Sequence, residues 1–362
     1  MANYKVMEFS EFQFIAPRLD RSPGGERSRL SRKFRSGSIV RLQPSVYMDT
    51  DQWLNLSFSD RRKSCIGAMV LLGKGPVFVG LSALTLYGVP LVQSKSPLSN
   101  LVNVGVTSPS SVRKRRPTHC YGNQPDALSR LQQMKGQATT RRLPLPPPIR
   151  GQLIGNAAPL TLTSGSGEFR LQVEPIDDAL MRSSHELTFE DRVVVFEYLL
   201  RCGVDFGIEW NHQQFESIAS TISVDHRREK FRVAAKFSRI ESESVGESLS
   251  RALLFKLGFE EPALQQTIQL PNGRTARPDY FWKNARIVGE FDGAQKYTRA
   301  KSVSGKDAGQ VLYEEKLRED AIRSTGLGMC RWGWNDLLNP HEFARILTSA
   351  GVPRTFPRGR LL

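Results

Sequence analysis

Four carboxylates in the last third of the chain, Glu247, Asp279, Glu290 and Asp292, are the residues whose type and spacing best suit chemistry. Metal-assisted phosphodiester hydrolysis needs acids that converge on Mg²⁺, which activates water and screens the charge of the transition state. The surrounding elements must bring them together. GESLSRALLFKLGF (246–259) reads as a helix with Leu249, Leu253 and Leu257 on its buried stripe. Glu247 lies at the edge of that stripe beside Leu254, with Arg251 one turn on. QTIQL (266–270) reads as a strand and PNGR (271–274) as a turn. ARPDYFW (276–282) and ARIVGEFDG (285–293) read as adjacent strands joined at Lys283-Asn284. A two-residue turn there sets Asp279 opposite Val288 and diagonal to Glu290, with Asp279, Glu290 and Asp292 on one face. Diagonal neighbours have Cβ atoms up to ~7–8 Å apart, a span that two carboxylates sharing a cation can bridge. Three acids on one face of apolar strands repel unless something neutralises them. The neutraliser is either a divalent cation or a set of salt bridges in which Asp279 and Glu290 pair with Arg251 or Arg318.

Pro278-Asp279, ten intervening residues and then Glu290-Phe291-Asp292 resemble the PD-(D/E)XK nuclease signature, with Glu247 in the place of the acid from the first helix. The nearest variety is similar to the very-short-patch-repair-like endonuclease domains. In those domains the second acidic strand is followed by a His or Lys, a basic helix and a last strand. Here the corresponding stretches are EFDGAQKY (290–297), YEEKLREDAIRSTG (313–326) and GMCRWGW (328–334), about 100 residues in all. The resemblance implies a restriction-endonuclease-like α/β domain that binds Mg²⁺ or Mn²⁺ through Asp279, Glu290 and Glu247, with Asp292 in support. One position departs from the pattern: Asp292 stands where the catalytic Lys is usual. Lys296 lies four residues on, and Arg318 lies on the side of the next helix that can reach the sheet and steady a phosphate. Lys316, which projects more toward the opposite side, is the second choice. If none of these reaches the site, the domain binds DNA without cutting it.

The other end of the chain has chemistry of a different kind. SPGG (22–25) signals a turn, and ERSRLSRKFRS (26–36) reads as a helix ended by Gly37. Leu30 and Phe34 can face a core, while Arg29, Arg32 and Lys33 lie on the other side with Arg35 at the edge. SIVRLQPSVYM, which includes Arg41, alternates around Gln43-Pro44-Ser45 as a β-hairpin would. A basic helix followed by a hairpin is the outline of a winged helix-turn-helix, in which the helix enters the major groove and the wing touches the backbone. The competing reading is a small helical cap with solvated arginines. This outline, followed by VGLSALTLYGVPL (79–91), resembles the AbiEi-type antitoxin and regulator proteins of type IV toxin–antitoxin systems, with Tyr87 where a His is common. That resemblance covers residues 9–180 and implies sequence-specific DNA binding and a cognate toxin partner.

Composition bounds both readings. The chain has 362 residues, 39% hydrophobic and 24% charged, ordinary values for a folded protein of two or three domains. Its 51 Lys and Arg outnumber 36 acids, for a net charge of +15 that favours a polyanionic partner. Residues 241–362 hold 18 basic and 15 acidic residues, so most of the excess lies earlier in the chain. No apolar run is long enough for a membrane helix, and MANYKVMEFSEF is not a secretory signal. Four scattered cysteines form no zinc pattern, and a reducing cytoplasm is the expected setting. The five histidines show no metal spacing, and SGSG (164–167) lacks the Lys-Ser/Thr ending of a phosphate loop. The basic cluster SVRKRRPTH (111–119) and the proline-rich RRLPLPPPIRG (141–151) read as loops, on the DNA side or simply exposed. Trp332 and Trp334 read as packing residues that alternate along the final strand.

The expected architecture is multidomain α/β. It comprises a winged helix (1–60), a mixed α/β middle region (61–240) and, after the serine-rich acidic RIESESVGES, an endonuclease-like domain (241–362). The function expected is Mg²⁺-dependent cleavage of bound DNA. The alternative is a non-enzymatic, antitoxin-like regulator with a degenerate nuclease domain, and RNA as the substrate also stays open.

Overall fold

The computed structural model describes residues 12–16, 25–72, 76–92, 101–115, 117–135, 142–164, 167–202, 209–271, 273–293 and 308–355. It is a mixed α/β chain that gathers into two compact units, Met1–Thr188 and Phe189–Leu362. No helix among the described residues is long and apolar enough to cross a membrane.

In the first unit β1 (Phe14–Ile15) precedes α1 (Gly25–Arg35) and the hairpin of β2 (Ile39–Gln43) and β3 (Val46–Asp49). β1 pairs with β3, which gives the sheet order β1-β3-β2. The alternation read around Gln43-Pro44-Ser45 is real: Ile39, Val40, Leu42, Val46 and Met48 are buried, and Ser45 takes φ 64° in the turn. Gly37 (φ 84°) ends α1 in the left-handed region, where a residue without Cβ is unstrained. Four helices follow: α2 (Thr50–Asn55), α3 (Phe58–Leu71), α4 (Leu81–Leu86) and, beyond β4 (Val102–Val106) and β5 (Lys114–Arg115), α5 (Gln124–Lys135). β4 runs parallel to β6 (Ile149–Leu153), and β5 runs antiparallel along the other side of β6. β7 (Ala158–Ser164) and β8 (Gly167–Val173) form a hairpin before α6 (Ile176–Ser183).

Two expectations change here. Of the segment GPVFVG (75–80), which reads as a strand ahead of α4, the described residues 76–80 form no regular strand, only a bridge from Phe78 to Val104 and to Val173. The proline-rich run is not a free surface segment. Pro146 and Pro147 are buried, and the Pro144 carbonyl accepts from Trp53 Nε1 (3.0 Å) and Tyr121 Oη (2.6 Å).

In the second unit α7 (Phe189–Cys202) packs against α10 (Val245–Leu257), while α9 (Asp225–Phe237) packs on α7 and α8 (His212–Thr221) on α9. Ser244 caps α10 by accepting from the Glu247 amide at 3.2 Å, and Gly258 (φ 77°) closes it. The serine-rich acidic stretch is therefore a cap within the unit. The break falls at 188/189, because the buried Arg251–Glu197 pair and the bond from Arg251 Nη2 to the Phe237 carbonyl bind α10 to the helices before it.

A four-stranded sheet follows, in the order β14-β13-β12-β9, made of β9 (Ala263–Leu264), β12 (Tyr280–Trp282), β13 (Ile287–Asp292) and β14 (Gly328–Gly333). β13 and β14 are parallel and the other pairs antiparallel. A separate small ladder joins β10 (Ile268–Gln269) and β11 (Thr275–Ala276), so ARPDYFW is two short strands rather than one. α11 (Ala308–Arg323) links β13 to β14, and α12 (Trp334–Leu338) and α13 (Pro340–Ser349) end the unit.

The sheet is covered on both faces. On one, α10 lies close: Trp332 Nε1 donates to Ser250 Oγ at 2.8 Å and Tyr280 Oη to the Glu247 carbonyl at 2.9 Å. A Cβ on Gly246 would come within 2.0 Å of the Phe291 ring, so glycine is what permits this approach. On the other face Val288 packs with Ile322, Leu270 and Ala276. Trp334 does not continue the strand. It opens α12 and meets the Phe291 ring edge-on, with centroids 5.3 Å apart.

Candidate functional site

The hairpin register differs from the two-residue turn read in the sequence. Trp282 pairs with Ile287, leaving a four-residue turn, Lys283–Arg286, in which Arg286 takes φ 56°. The shift is by two residues, so the faces are unchanged, but Asp279 becomes level with Glu290 rather than with Val288.

The two carboxylates nevertheless part. Asp279 lies just before β12, and its Oδ2 accepts the Phe291 amide at 2.9 Å, which caps the ladder where the strands diverge. Its Oδ1 is 3.4 Å from Gln265 Nε2, and the same nitrogen is 3.3 Å from Glu247 Oε2. Glu247 also accepts from the Glu243 amide (2.8 Å) and the Ser244 hydroxyl (2.8 Å), so its carboxylate closes the cap of its own helix. Burial, and then the nearby Asp279, push the Glu247 carboxyl above the usual carboxylate range.

Glu290 turns to basic partners. It is 2% exposed, with Arg318 Nη2 at 2.7 Å from Oε1 and Arg331 Nη2 at 3.1 Å from Oε2. Arg331 sits beside it in parallel register on β14 and also approaches Asp292 (3.7 Å) and Glu319 (3.8 Å). Arg318 thus reaches the sheet, as its place on the helix suggested, while Lys316 is exposed. Arg318 further donates to the Arg277 carbonyl, and the Arg277 side chain pairs with Glu243. Arg251 reaches neither Asp279 nor Glu290 but joins Glu197 and Glu261. Lys296 lies outside the described residues.

A divalent cation such as Mg²⁺ needs several oxygens aimed at one point. Among the described residues no three His, Cys, Asp or Glu side chains gather in that way. An amide nitrogen stands between Glu247 and Asp279, and guanidinium groups occupy Glu290. As disposed, these donors do not fit the metal. Of the two ways to neutralise the acids, the salt-bridged one is present at Glu290, through Arg318.

At the other candidate site, α1 presents Arg29, Arg32, Lys33 and Arg35 to solvent while Leu30 is buried. Among the described residues none of the four side chains has an ion pair. Arg41 differs: its Nη2 donates to the Thr118 carbonyl at 3.1 Å and its guanidinium lies 5.4 Å from the centre of the Phe34 ring.

The chain matches no family model, no curated protein and no solved structure.

Two residues that organise the acidic site were missed in the sequence. Arg331 alternates with the tryptophans of GMCRWGW, and its place beside Glu290 follows only once β13 and β14 are known to be parallel. Gln265 reaches both acids because its backbone takes φ 49° and its amide donates to the Asp279 carbonyl at 3.2 Å, neither of which composition signals.

Proposed function

We propose that the protein binds DNA through α1 and the β2–β3 hairpin as a non-enzymatic regulator, with a nuclease-like but salt-bridged second unit. The observation that carries this reading is the row of exposed cations on α1, without acidic partners among the described residues, directly followed by a hairpin. Such a helix can enter the major groove while the hairpin turn meets the phosphate backbone. The sheet order β1-β3-β2 is compatible with a winged helix. A resemblance to AbiEi-type regulators adds a cognate toxin as a proposed partner.

The second reading is Mg²⁺- or Mn²⁺-dependent cleavage by a PD-(D/E)XK-like unit. It is favoured by one observation, the closeness of Glu247 and Asp279 at the mouth of a sheet that also bears Glu290. Here Arg318 and Arg331 would have to release Glu290.

Plasmid incubated with the protein in EDTA, Mg²⁺ or Mn²⁺ separates the two. The regulator reading expects retarded migration in all three and no nicking. Nicking that needs the metal and is lost in Asp279→Ala would move the assignment to the nuclease. Absence of any retardation would overturn both.

A further inference from the structure

The first unit contains a cavity of about 630 Å³. Its wall is apolar: Met69 and Leu72 come from the end of α3, Val104 and Val106 from β4, and Ile149 from β6. The hairpin turn at Gln43-Pro44 closes one side. The rim carries charge. Arg113, just before β5, and Arg115, on it, both line the cavity and are exposed, whereas Lys114 between them does not line it. Their strand is held in place by pairing of β5 with β6 and by the Gly151 amide, which donates to the Arg113 carbonyl at 3.0 Å. Among the described residues neither guanidinium has an ion pair or hydrogen bond.

Volume, wall and rim restrict the occupant. The volume is that of a pocket for a drug-sized molecule. A neutral apolar molecule would leave two like charges side by side at the opening. A bare inorganic anion would leave the apolar wall wet, and a nucleic-acid phosphate would satisfy the arginines but leave the space behind them unfilled. An organic acid with an apolar body meets all three conditions, since a carboxylate, sulfonate or phosphate ester makes charge-assisted bonds to guanidinium groups.

We propose that this cavity is a binding site for a small amphipathic anion, held by Arg113 and Arg115 at its acidic end and by the α3, β4 and β6 side chains along its body. It shares the β2–β3 turn, through Gln43 and Pro44, with the proposed DNA-binding surface, whereas neither α1 nor the acidic site of the second unit lines it.

Fluorescence titration of the full chain with two probes tests it. 1-Anilinonaphthalene-8-sulfonate carries the anion, and N-phenyl-1-naphthylamine has the same rings without it. The sulfonate should bind at one site, and Arg113→Glu with Arg115→Glu should weaken it by about ten-fold or more while leaving the neutral probe within about two-fold. Met69→Trp, which fills the cavity, should abolish binding of both. Leu72→Trp serves as the second blocking variant, with circular dichroism confirming that each variant is folded. The proposal fails if the wild-type chain binds neither probe, if folded blocking variants bind both as before, or if charge reversal weakens the two probes equally.

Discussion

Glu290 illustrates how one side chain decides between two chemistries. A carboxylate 2% exposed on an apolar strand must be compensated, because an unpaired buried charge costs several kcal/mol. Two guanidinium groups provide that compensation, from Arg318 on α11 and Arg331 on β14. Glu247 is compensated differently. It receives hydrogen bonds from Glu243, Ser244 and Gln265, yet burial and Asp279 still hold its carboxyl above the ordinary range. The native chain therefore keeps this proton more tightly than the unfolded chain does. The resulting stability is full below the ordinary glutamate value of ~4.3 and fades as pH rises through the raised native value. Glu247→Gln retains an acceptor for the Glu243 amide and cannot ionise. Melting measured at about pH 4 and about pH 8 should show the variant gaining on the wild type at the higher pH. A difference between the two proteins that does not change with pH would contradict the burial of a charged Glu247.

At the scale of elements, α10 and β13 hold the acids in place by unusually close packing. Gly246 permits it, since any Cβ there would enter the Phe291 ring. Gly246→Ala should destabilise the protein by about 1–3 kcal/mol, as overpacking does in well-packed cores, and the urea midpoint reads this directly. An unchanged midpoint would mean that α10 does not rest on β13 in this way. How much was legible in the sequence follows from how local each signal is. α1, the β2–β3 hairpin and α10 were readable because capping residues, a glycine stop and alternation lie within a few residues of one another. The register moved by two, an even step, so Glu290 and Asp292 stay on one face of β13, whereas Asp279 falls just before β12 and turns to the Phe291 amide and Gln265. The turn length itself was hidden, since it depends on Arg286 adopting φ 56°. The partners of Glu290 were half hidden: Arg318 was visible from helical spacing, whereas Arg331 required knowledge of a parallel strand 41 residues away. RIESESVGES has linker composition, yet it serves as a helix cap inside the compact unit Phe189–Leu362.

For the whole molecule, charge is divided unevenly between the units. Met1–Thr188 holds 25 basic and 13 acidic residues, and Phe189–Leu362 holds 26 and 23. Twelve of the fifteen excess positive charges thus belong to the unit that carries α1. A polyanion should bind chiefly there, and its affinity should fall steeply with salt as condensed counterions are released. In the second unit the 23 acids nearly balance the 26 basic residues by count, which is consistent with a unit that adds little to electrostatic attraction. The most direct measurement is the affinity of a short fluorescent DNA duplex, by anisotropy, across a salt series for the wild type and for Arg29→Glu with Arg32→Glu. The account predicts binding about ten-fold weaker or more at moderate salt, and a log–log slope shallower by about one for each phosphate that is no longer neutralised. Superimposable lines for the two proteins would contradict it.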